Sequence, residues 1–159
     1  MTKNVCCVVL SWQRNIGVLK ALYERAKQAP TARMLTIGDI RVGLASAEPA
    51  NIDTAHWLCL FLQQIPLHTA AVGCTILKEA DAIQALFVQL KLWPTVRHVV
   101  LAACVALNNI ALHATPAVKA TMRKIPKCRV LLQAVNESAL DVHDGRHFAA
   151  DVLKKLGML

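Results

Sequence analysis

Apolar positions recur along this chain with two alternating spacings. Ahead of four prolines, Pro30, Pro66, Pro94 and Pro126, they fall three to four residues apart. One position before each Pro stand Ala29, Ile65, Trp93 and Ile125. Four before stand Ala26, Leu62, Leu90 and Met122, and eight before stand Leu22, Leu58, Leu86 and Val118. Those offsets line one face of an α-helix. Pro would end each helix, because it lacks an amide hydrogen and disfavours a helical residue ahead of it. After the prolines the spacing shortens towards two. Val96-x-x-Val99-x-Leu101-x-x-Cys104, Ala32-x-x-Leu35-x-Ile37-x-x-Ile40 and Cys128-x-x-Leu131-x-Gln133-x-x-Asn136 share one frame. Leu67-x-x-Ala70-x-Val72-x-Cys74 fits with one residue fewer, and Val5-x-x-Val8-x-Leu10-x-x-Gln13 opens the series. This half of the pattern predicts strands.

The pattern gives five strand–helix units, starting near residues 5, 32, 67, 96 and 128 within a single domain over 1–159, with an insertion at 43–51 around Glu48-Pro49-Ala50-Asn51. The frame resembles the leucine-rich repeat LxxLxLxxN/C-xL, in particular its cysteine-containing variety. The clearest copy runs from Trp93 to Cys104. The resemblance implies an α/β solenoid: about five parallel strands on one face, helices on the other, and Cys74, Cys104 and Asn136 as turn residues bonding neighbouring backbone. The unequal unit lengths depart from the family. The alternative is a doubly wound α/β sheet, with helices on both faces. No GxGxxG or GxxxxGK[ST] run supports a phosphate loop in such a sheet.

In the strand frame, residues flanking the inward positions face the open side of the sheet. Val9, Met34, Thr36, Thr69, His98, Val100, Val130 and Leu132 then form an uncharged protein-binding face. Arg33, His68, Arg97 and Arg129 line a basic edge beside it.

Charge sharpens this reading. Lys and Arg number 18 against 10 for Asp and Glu, a formal net charge of +8, which suits anionic partners: acidic protein, anionic lipid or RNA. Apolar residues make up 55% and aromatics 4%, so the core is aliphatic and no aromatic–basic interleaving marks an RNA surface. The six cysteines, at 6, 7, 59, 74, 104 and 128, form no CxxC pair and read as free thiols of a reducing compartment. Lys3, Arg14 and Lys20 precede the first acidic residue, Glu24, as in a mitochondrial presequence, although Val5–Leu10 reads as a strand. Ala55–Leu77 has no charged residue and the length of a bilayer span, but Gln63, Gln64 and Pro66 at its middle speak against an integral membrane protein.

No motif points to catalysis, to a cofactor or to a metal. His143-x-x-x-His147 has metal-pair spacing without the Glu of HExxH, and Asp144-Gly145 reads as a turn opening a last helix with Phe148, Val152 and Leu156 on one face. The expected function is therefore a non-enzymatic structural or protein-interaction subunit of a larger assembly. The resemblance, with size and charge, suggests a mitochondrial respiratory or ATP synthase complex. The alternatives are an RNA-contacting component of an organellar ribonucleoprotein, such as a ribosome, and an α/β enzyme.

Overall fold

Val99, Val100, Ala103, Cys104, Leu107, Ile110 and Ala111 are all buried, and their spacing is that of a helix. The computed structural model describes residues 3–28, 35–47, 51–138 and 145–159, and among these there are eight helices and no strand. In chain order they are α1 (Lys3–Lys27), α2 (Ile37–Ser46), α3 (Ile52–Glu79), α4 (Ala82–Leu92), α5 (Arg97–His113), α6 (Pro116–Lys124), α7 (Cys128–Glu137) and α8 (Arg146–Lys155).

This overturns the leucine-rich-repeat resemblance and both α/β architectures. The stretch 96–104 lies in α5, 128–136 in α7, 67–74 in α3, and 5–13 in α1. Residues 32–34 lie outside the described residues, and Ile37–Ile40 open α2. The reason is density of apolar residues. In Arg97-His-Val-Val-Leu-Ala-Ala-Cys-Val-Ala-Leu, nearly every position is apolar, so a period of two and a period of 3.6 both find matches. Five alanines and leucines against three valines tip the stretch towards the helix. The turn positions assigned to Cys74 and Cys104 are helical and buried, and Asn136 sits in the last turn of α7.

The helical half of the sequence pattern is retained. Leu22, Ala26, Leu58, Leu62, Leu86, Leu90, Val118 and Met122 are all core residues. Helices α4 and α6 stop at caps Trp93 and Ile125, immediately before Pro94 and Pro126. Beyond each of these two prolines the chain enters a further helix, α5 or α7.

The helices stack in two rows. One row holds α1, α3, α5 and α8, with α3 packed on α1 and α5, and α5 on α8. The other holds α2, α4 and α7, each packed on its partner in the first row. His56 meets His98 and Gln63 meets Asn109, so α3 and α5 run in the same direction. Val100 lies beside Gly145 and Asn108 meets Lys155, so α8 follows them. Helix pairs stacked in rows are the layout of an α-solenoid. Helices α2, α4 and α7 begin at 37, 82 and 128, a step of about 45 residues that suits pairs of helices. Helix α6 is an addition between α5 and α7.

Helix α3 is long and apolar enough to cross a membrane by length and composition alone. Here it is the central helix, touching α1, α2, α4, α5 and α6. It is also broken. Pro66 lies inside it, and Ala70 has φ 46 and ψ −127, so residues beyond the break run in a new direction.

Candidate anion-binding surface

The residues grouped as one binding face by strand alternation are dispersed by the helices. Val100 and Leu132 have no exposed surface and belong to the core, so neither can face a partner. Val130 is 60% exposed on the first turn of α7. Thr36 caps α2: its hydroxyl accepts from the Asp39 amide, and its own amide donates to the Asp39 carboxylate. Thr69 donates its hydroxyl to the Ile65 carbonyl at the break in α3. His98 packs edge-on against His56. Met34, Arg33 and the side chain of Val9 lie outside the described residues. His68, Arg97 and Arg129 are exposed, but on three different helices: α3, α5 and α7. They form no common strand edge.

Two other constellations emerge. The first is a line of rings across α1, α3 and α5. Tyr23 meets Trp57 edge-on at 5.7 Å, Trp57 meets His56 at 6.1 Å, and His56 meets His98 at 4.9 Å. The Lys20 ammonium stands 5.0 Å from the Trp57 ring centre and that of Lys27 5.8 Å from Tyr23. Burial pushes the His56 imidazole below its ordinary pKa, and the charge of His98 adds to the shift. Its Nδ1 has no hydrogen-bond partner among the described residues. These rings face one another and their own lysines, so the line ties three helices together.

The second constellation is basic. From Ala82 to Asn136 the chain carries no Asp or Glu. Within that stretch Lys119, Arg123, Lys124, Lys127 and Arg129 cluster on α6 and the start of α7. All but Lys119, which is part-buried, are exposed. Among the described residues, no carboxylate forms an ion pair with any of the five. The fold adds to the cluster. The Arg123 guanidinium donates to the Leu156 carbonyl at 3.3 Å, bringing the last turn of α6 against the last turn of α8. Lys154 and Lys155 lie on that turn. Lys155 donates to Asn108 Oδ1 at 2.7 Å, fixing the end of α8 beside the end of α5.

Helix energetics account for only part of the cluster. Arg123 and Lys124 close α6 and Lys154 and Lys155 close α8, where cations suit the helix dipole, but the cations at the start of α7 gain nothing from it. Lys127 caps the start of α7 and Arg129 comes two residues later, at the end where the helix dipole repels positive charge. Helices α2 and α3 instead carry Asp39 and Asp53 in their first turns. The signal was present in the sequence as a 55-residue stretch free of acids, counted from Ala82 to Asn136. Its convergence with α8 was not.

The buried thiols offer no comparable chemistry. Burial pushes Cys74 and Cys128 up to about 11 and Cys104 to about 12. Cys59 rises further, from burial and then from the neighbouring Cys104. A thiol so shifted is not a thiolate nucleophile at neutral pH. Among the described residues, no three His, Cys, Asp or Glu side chains stand close enough to hold a metal ion. No protein-family model, curated protein or solved structure matches the chain.

Proposed function

We propose that this protein is a non-enzymatic interaction subunit of a larger assembly, which docks an anionic partner on the basic end built by α6, α7 and α8. One observation carries the reading. Folding gathers Lys119, Arg123, Lys124, Lys127, Arg129 and Lys154 at one end, with no carboxylate among the described residues bonded to the first five. Collected like charges destabilise a compact state through self-repulsion. An anionic partner turns that cost into binding energy and speeds encounter. The two-row helix stack supplies a rigid support for such a surface.

The test is retention on a heparin column, read as the salt concentration at elution. The variant Lys124→Glu/Lys127→Glu/Arg129→Glu should elute at markedly lower salt, with unchanged helical circular dichroism. Elution of the variant at the wild-type salt concentration would refute the reading.

A further inference from the structure

The basic end carries more than charge. Asn109 on α5 donates to the Gln63 carbonyl on α3, and the Cys74 thiol donates to the Ile110 carbonyl. The end of α5 is thereby held against the broken part of α3, and it meets the end of α8 through Asn108 and Lys155. Leu67 lies one turn beyond Gln63, and Leu112 one turn beyond Asn108. Leu67 is 51% exposed, Val72 54% and Leu112 57%. Three large aliphatic side chains thus stand exposed at the end where the cations gather. The bend itself contains no charge: Thr54 to Leu77 has no Asp, Glu, Lys or Arg. On α8, Asp151 pairs with Lys155 and His147, and Glu79 and Asp81 stand exposed at the junction of α3 and α4.

We infer that this end docks on an anionic lipid bilayer. The bend of α3, with Leu67 and Val72, and Leu112 enter the boundary between headgroups and acyl chains, and Lys119, Arg123, Lys124, Lys127, Arg129 and Lys154 meet lipid phosphates. The inference rests on the reading of the basic end as an anion-binding surface, and names its partner. Apolar residues among cations are the combination that holds a protein in a membrane interface. A nucleic acid needs only the cations and, where single-stranded, aromatic rings for stacking. No Phe, Trp or Tyr occurs in 63–78, 108–138 or 149–159, the segments that build this end.

The experiment is flotation of the full chain with phosphatidylcholine vesicles, with and without phosphatidylserine, alongside heparin retention. The wild type should float only with phosphatidylserine. Lys124→Glu/Lys127→Glu/Arg129→Glu should weaken that binding by more than roughly 100-fold, since each of the three lost cations contributes about one factor of five and the added carboxylates repel the surface besides. Leu67→Ser/Leu112→Ser should lose flotation and keep heparin retention; both side chains are exposed, so the helical content should not change. A Leu67→Trp chain should gain fluorescence quenching by brominated lipid. Flotation unaffected by Leu67→Ser/Leu112→Ser, equal flotation on pure phosphatidylcholine, or heparin and duplex-DNA binding without flotation would each overturn the bilayer and leave the basic end standing. Failure to bind either heparin or vesicles would remove both readings.

Discussion

The side-chain amide of Asn109 donates to the backbone carbonyl of Gln63, 3.1 Å away on the neighbouring helix. Gln63 stands three residues before Pro66, where the helical ladder of α3 is interrupted. Pro66 has no amide hydrogen for the Leu62 carbonyl four residues earlier, and its ring crowds the turn that contains Gln63. Asn109 gives the Gln63 carbonyl of that turn a donor from outside the helix. The same bond holds the end of α5 against the bend on which the proposed lipid contact depends.

Asn109→Ala should therefore destabilise the fold by about 0.5–1.5 kcal/mol, the net contribution of one hydrogen bond between helices. Urea unfolding followed by circular dichroism measures it. A midpoint shift within error would show that water replaces the amide freely.

Ala70 offers a test with an unusual sign. At φ 46 and ψ −127 it occupies a region that suits glycine. Strain of this kind costs on the order of 1–3 kcal/mol, against roughly 0.5–1 kcal/mol for glycine's greater chain entropy. Ala70→Gly should raise the melting temperature. In a continuous helix the same change would lower it, so the direction reports the break.

At the start of α2, Thr36→Ala should cost about 1 kcal/mol by removing the cap. Asp39 adds a pH dependence. Partial burial opposes its ionisation, but the Thr36 amide and hydroxyl and the Arg25 guanidinium outweigh this, so its carboxyl lies below the ordinary value. A depressed acid contributes stability that is full above the unfolded pKa of about 3.9 and is lost as pH falls through the native value. The stability gap between wild type and Asp39→Asn should close below about pH 4. A gap independent of pH would show that the carboxylate is not held.

His56 works in the opposite part of the pH range. Its native pKa is lowered by burial and then by the charge of His98, with the His98 backbone and then Asp53 opposing. The unfolded chain takes up its proton from about pH 6.5 downwards, before the native state does. Stability should therefore fall as pH drops from there through the depressed native value. His56→Gln should flatten the curve in that window, and His98→Ala should raise the His56 pKa in an NMR titration. An unmoved His56 resonance in His98→Ala would separate the two rings electrostatically.

How much of the fold was legible in the sequence depends on the residue. The buried helical faces through Leu22 and Val118 could be read directly, because the polar residues Glu24, Arg25, Lys119 and Thr121 between face positions leave only one period possible, whereas those through Leu58 and Leu86 were read from their shared offset to the next proline. The last helix, with Phe148, Val152 and Leu156, was equally plain. In α5 almost every residue is apolar, and local pattern cannot choose between a strand buried on both sides and a helix buried on nearly all sides. That ambiguity at Val96–Cys104 spread, through the shared frame, to the other four units. It placed Val100 and Leu132 on an open sheet face when both are core.

The sequence by itself determined the charge, the acid-free stretch from Ala82 to Asn136, the aliphatic composition of the core and the stops before Pro94 and Pro126. These are properties of one residue or its immediate neighbours. Tertiary structure alone decided which cations share a surface, because Lys119–Arg129 meets Lys154 through the packing of α7 on α8 and the contact of Arg123 with the Leu156 carbonyl. It also decided that α3 bends and runs on past Pro66. A helix runs on past an internal proline when neighbours bury its sides and hold the turn before it, and here that hold comes from Asn109, more than forty positions from Gln63.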